Sequence, residues 1–330
     1  MGWALRRPAH RRLARPRGGL RGDFVAEEFA SQDHHYVPQF YTRRWADETG
    51  KVPCYKRVPT GRIAFKGVAP KGTGFEPNLY AAPPAVFWEE HDAHVIERDF
   101  FSPLDNDAAV VLDRLQNGAS SMTETQRTAW ALFLNSMRHR HRDEIIERDA
   151  AAPEVVAELK AKWMAARTDP EDRLRLAEAL ADVDLNQLAR TSHRTAMVNA
   201  IRDPHALDAL KSLAWEVIAV NPDLPLITTD RPVLVNLGQQ RPEIEIVTMA
   251  LSPTRLFVAY PSHWRNADGT SIDGVREFLE TVTFAHDLML LNEQRCRFVY
   301  TSGQLDDVLS EGRIVRMGVA VVEALKRWPA

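Results

Sequence analysis

The spacing of apolar and polar positions divides the chain into three parts. Residues 31–81 show no sustained helical period; Val52–Arg57 and Gly61–Phe65 read as short strands around a Pro59-Thr60-Gly61 turn. After Pro83-Pro84 the pattern becomes helical. Val95, Phe100, Ala108, Val111, Leu112 and Leu115 form apolar faces that break near Ser102-Pro103, where Pro103 suits a helix's first turn. Thr123-Glu124-Thr125-Gln126 predicts a capping box ahead of a helix carrying Trp130, Phe133, Leu134 and Met137 inward. Three further helical stretches are expected between about 153 and 212. Short β-type runs then follow at 213–220, 224–228, 243–251, 255–260 and 297–301, with a helix expected over 271–285. Strands at both ends and helices between them predict an α+β fold. Its mixed or antiparallel sheet joins N- and C-terminal strands around a helical insert at about 104–212, within a single domain spanning 23–330.

Composition changes this picture little, but charge refines it. The first 22 residues hold seven arginines and no acid, which predicts a disordered tail. Removing those seven from the 42 basic residues leaves 35 against 45 acids, so the body is acidic and unsuited to broad nucleic-acid binding. Two cysteines, Cys54 and Cys296, stand far apart, which points to a reducing, cytoplasmic compartment rather than a disulfide framework. No apolar run reaches membrane-spanning length. The sequence leaves the oligomeric state open.

Four groups of residues suggest chemistry. His34 and His35 lie within Asp33-His34-His35-Tyr36-Val37-Pro38-Gln39-Phe40-Tyr41, where neighbouring imidazoles suit metal ligation or general-base work, the plainer alternative being a histidine that fixes a loop. Gln39 and Tyr41 are candidate substrate contacts in the same segment. His91, His94 and Glu97 are spaced three apart, a loose metal-ligand spacing that a solvated helix face explains equally well; Glu97 is kept as a candidate ligand. Arg138 and Arg142 share a helical face with Asn135, from which Arg140 turns away, and offer an anion clamp or salt bridges to Asp143, Glu144 and Glu147. Finally, Asp230 ends a strand-like run in Thr228-Thr229-Asp230-Arg231-Pro232, as a ligand carboxylate or as a turn former.

The run His34 to Trp45, read as HHYVPQFYTRRW, resembles the opening signature of an uncharacterised bacterial and fungal domain-of-unknown-function family, with Thr42 in place of the usual leucine. Arg138, Thr229-Asp230-Arg231-Pro232-Val233, Leu251-Ser252-Pro253 and Leu291-Asn292 extend the resemblance, with Arg231 where the family has Asn. The resemblance implies homology over about 31–303 and no particular reaction. From the residues, the leading expectation is a metal-dependent hydrolase or nuclease-like phosphoesterase. In it His34, His35, Glu97 and Asp230 would hold a divalent metal, His34, His35 and Asp230 would serve catalysis, and Gln39, Tyr41, Arg138 and Arg142 would meet a small or phosphate-bearing substrate. The alternative is a non-catalytic ligand- or protein-binding module, in defence or stress sensing.

Overall fold

The N-terminal strands do join the C-terminal ones. The computed structural model describes residues 31–57, 63–82, 93–119, 122–181, 183–223, 225–235, 246–266 and 297–302, with Val275, Leu279, His286, Asp287 and Leu290 described singly. The arginine-rich segment, the first hairpin's turn with Pro59-Thr60-Gly61, His91 and most of the helix expected at 271–285 lie outside these residues.

Strand β1 (Asp33–His35) leads through Pro38 into a one-turn helix α1 (Gln39–Thr42). Strands β2 (Val52–Arg57) and β3 (Ile63–Val68) form the expected hairpin, and β4 (Phe75–Pro77) returns antiparallel to β1. That last pairing is tight: Val37 donates its N–H to the Gly74 carbonyl at 3.0 Å, and a Cβ on Gly74 would stand 2.8 Å from Val37 Cβ. With φ at +67°, Gly74 is where only glycine fits.

The helical part begins with a π-turn, Glu97–Phe101, that runs unbroken into α2 (Ser102–Leu115), so Pro103 sits in a first turn without a new start. Helix α3 (Glu124–His139) carries the predicted capping box, with Gln126 N–H donating to Thr123 Oγ1 and Thr123 N–H to Gln126 Oε1. Helix α4 (Arg142–Ala165) starts eleven residues before the helical stretches expected from about 153 and carries Pro153 inside it. An interior proline costs about 3 kcal/mol through its missing N–H. Tertiary packing overrides that cost here, because Ile145, Ala152 and Val156 are buried along the helix. Helices α5 (Pro170–Ala181), α6 (Leu185–Ile201) and α7 (Pro204–Ser212) complete the insert, with Asp184 and Asp203 capping the last two through their side chains.

Strands β5 (Ala214–Ala219), β6 (Thr228–Thr229), β7 (Val233–Val235), β8 (Val247–Ser252), β9 (Arg255–Tyr260) and β10 (Phe298–Tyr300) follow. They make two four-stranded antiparallel sheets, ordered β3-β2-β10-β6 and β5-β9-β8-β7. The first is the join expected from sequence: Tyr300 pairs with Cys54 on one side and Thr228 on the other. In the second, β8 is buried from Val247 to Leu251, so its residues read as a continuous apolar run rather than an alternation. One apolar core connects Tyr41, Trp45, Trp130, Phe133 and Phe257 across helices and sheets. Among the described residues no helix is long and apolar enough to cross a membrane.

Candidate functional site

The histidine motif is built inward. Alternation on β1 buries His34 completely and leaves His35 half-buried on the other face. The Tyr80 backbone N–H donates to His34 Nδ1 at 2.8 Å, so that nitrogen carries a lone pair. A neutral His34 then bears its proton on Nε2 and donates it to His94 Nδ1 at 3.0 Å. The Tyr80 ring stacks 5.6 Å from the His34 ring. Burial, then the neighbouring His94 and Arg194, lowers His34 to about 4, so it stays neutral at physiological pH. Both its ring nitrogens are occupied by protein. His35 packs against Phe75; its Nε2 is enclosed with no hydrogen-bond partner among the described residues, and burial lowers its pKa.

Glu97 opens the π-turn, a type of helical irregularity common at functional sites. Its Oε2 is enclosed without a partner, and burial, reinforced by the Asp105 carboxylate and only partly offset by Arg140, pushes the carboxyl up to about 7. The cation serving this corner is Arg140, the arginine expected to turn away from the Arg138 face. Helix α3 stops at His139, and Arg140, three residues after Met137 and seven after Phe133, continues their buried line, so the same helical phase that turns it from Arg138 points its side chain inward. It donates to Asp105 at 2.9 Å and lies over the rings of Phe101 and Phe133. The other residues of that row go elsewhere. Asn135 donates to the Ala200 and Ile201 carbonyls at the end of α6, Arg142 pairs with Glu76 and Asp143, and Arg138 is half-buried without an ion pair among the described residues.

Glu97 supplies a pH test. A raised carboxyl pKa means the folded chain holds the proton longer than the unfolded chain, so this contribution to stability is present below pH 4.5 and is lost as pH rises through 7. Glu97→Gln should therefore leave unfolding stability near wild type at pH 5 and raise it by about 2 kcal/mol at pH 8. Denaturant titrations at both pH values measure this; a variant equally affected at both would show that the carboxyl is not strained by burial.

Asp230 is buried, and its carboxylate accepts the backbone N–H of Arg297 on both oxygens at 3.0 and 3.2 Å and that of Phe298 at 3.2 Å. Burial outweighs those donors and pushes it up to about 6. No hydrogen bond or ion pair joins it to His34 or His35 among the described residues. Tyr41, fully buried, donates its hydroxyl to the Ala250 carbonyl at 2.8 Å and accepts from Thr228 Oγ1 at 2.6 Å, so it ties α1 to the sheets rather than facing a ligand. Gln39 is half-buried at the start of α1. Among the described residues no three His, Cys, Asp or Glu side chains gather as a metal ion requires, and His34, His35, Glu97 and Asp230 do not form such a set.

Instead, a neighbour of each motif reaches a cleft between the end of α3, the start of α4 and α6. His139, Glu144, Arg148, Asp149, His193 and Arg194 line it, with Ile145 and Met197. Arg194, itself buried, grips Asp149 with two bonds of 2.7 and 2.6 Å and donates to the Leu79 carbonyl at 3.2 Å, one residue from the amide that holds His34. Arg231, next to Asp230, donates to Glu144, also on α4, at 3.3 Å. Burial first, then Arg138, lowers the pKa of His139, and His193 Nδ1 and Arg194 Nε are enclosed without partners among the described residues. The sequence held one sign of this site. Arg194 sits on the inward line of α6 with Met197 and Ile201, at helical spacing, where a guanidinium needs a buried acid.

A profile of the family described as "Protein of unknown function (DUF4238)" matches residues 33–292. The chain belongs to the DUF4238 family. The match begins at Asp33, so it spans β1, the helical insert and every residue lining the cleft in this DUF4238 chain. Comparison with curated proteins and with solved structures gives no significant match.

Proposed function

We propose that this DUF4238 chain binds a small phosphate-bearing ligand in the cleft between α3, α4 and α6 and exchanges a proton with it through an imidazole. The observation that carries the reading is Arg194 Nε, an enclosed guanidinium donor without an acceptor among the described residues, on a cleft whose carboxylates are already taken. Glu144 belongs to Arg231 and Asp149 to Arg194. That leaves Arg148 as an exposed cation with no ion pair among the described residues, beside two histidines. A buried N–H without an acceptor costs free energy that an anion's oxygen would recover.

Hydrolysis of a phosphoester is the enzymatic form of this reading, with His193 the candidate base through its bare Nδ1. The metal-dependent form expected from the motifs needs a ligand set that the described residues do not assemble. The test is a thermal-shift and calorimetric titration with inorganic phosphate and with nucleoside monophosphates. Saturable binding with a dissociation constant of about 0.1–10 mM is expected, as suits so small a ligand, and Arg148→Gln should weaken it about tenfold. A wild-type chain that ignores phosphate, or an Arg148→Gln variant that binds unchanged, would remove this reading. Turnover of a phosphomonoester that disappears in His193→Gln would establish the enzymatic form; binding without turnover would leave a binding module.

A further inference from the structure

Helix α4 outruns the helix it packs against. Its inward line, Ile145, Ala152 and Val156, lies against α6 with exposures of 7%, 0% and 8%. The same line continues at helical spacing as Leu159 and Trp163, exposed at 39% and 38%, with Val155 beside them at 38%. Helix α5, which follows, has no buried residue, and its Leu174 is 59% exposed. A 12-residue helix without tertiary cover is marginal in water, so an uncovered overhang of this length is short of a partner.

We propose that this overhang is where two copies of the chain associate, α4 against α4, antiparallel about a two-fold axis near residue 160. The order of charges selects that occupant. Glu158 and Lys162 stand on one flank of the stripe and pair with each other at 2.7 Å, both largely exposed. Running the second helix in the opposite direction sets Glu158 beside the partner's Lys162 and Lys162 beside the partner's Glu158, so that two intrahelical pairs merge into one alternating group of four charges. A parallel pairing would turn this flank toward the partner's other flank and leave the two Glu158–Lys162 pairs apart. A lipid surface fits the flanks poorly, because Glu154 and Glu158 balance Lys160 and Lys162.

Sedimentation of the full chain between about 1 and 100 µM should show a monomer–dimer equilibrium. Leu159→Glu should stay monomeric throughout with its melting temperature unchanged, since that side chain is not part of the monomer's buried core. Glu158→Lys should raise the dissociation constant about tenfold by setting lysines together, and the swap Glu158→Lys with Lys162→Glu should restore it to within about threefold. A wild-type chain that is monomeric over the whole range overturns the proposal, as does association that survives Leu159→Glu. Equal weakening by the single and the swapped variant overturns the antiparallel arrangement, and a monomer that instead co-sediments with phosphatidylserine vesicles assigns the stripe to membranes.

Discussion

Arg140→Met is expected to lower unfolding stability at pH 8 by about 3–5 kcal/mol, the largest effect of any single substitution considered for this chain. The guanidinium is wholly buried, and three kinds of contact hold it: the Asp105 carboxylate, the rings of Phe101 and Phe133, and Met137 Sδ accepting from Nε. Methionine replaces most of the volume and none of the charge. Asp105 and Glu97, both already raised by burial, then face each other without a cation. The loss should shrink at pH 5, because Glu97 is protonated in the folded chain below about 7 and no longer needs Arg140. Denaturant melts at the two pH values decide it. A loss below about 1 kcal/mol at pH 8 would mean that water, not Arg140, neutralises this corner.

Asp230→Ala is expected to cost about 2–4 kcal/mol, with Asp230→Asn recovering part of that loss. The reason is that the carboxylate holds the backbone at Arg297 and Phe298, where β10 begins between β6 and β2. Removing it leaves two enclosed N–H groups without acceptors at the join between N- and C-terminal strands. A catalytic carboxylate would behave oppositely, since its removal abolishes turnover and leaves stability intact or improved. Equal stability of wild type and Asp230→Ala would thus return Asp230 to the list of reacting groups.

What the sequence determined by itself is local. Thr123 and Gln126 announce a capping box because both partners lie within one turn, and Arg255–Tyr260 reads as a strand from its own apolar and aromatic run. The α+β order and the joining of terminal strands follow from where those periods occur. The helical period outlasts the local stop signals: Arg140, one residue past α3, keeps the buried line of Phe133 and Met137, and Pro153 is carried inside α4 by burial on either side. The site was hidden for a different reason. His34 meets His94 sixty residues on, Tyr41 meets Thr228 after 187, and Arg194 reaches back 115 to Leu79. Such pairings are set by topology, and periodicity is blind to them. The motif His34-His35 and the residue Asp230 were therefore visible as unusual, but only the tertiary structure decided that they hold backbone and rings in place near a cleft whose own residues, Arg148, His193 and Arg194, come from helices that read as ordinary. A side chain's chemistry depends on what it is buried against, and that is settled by the packing of distant segments.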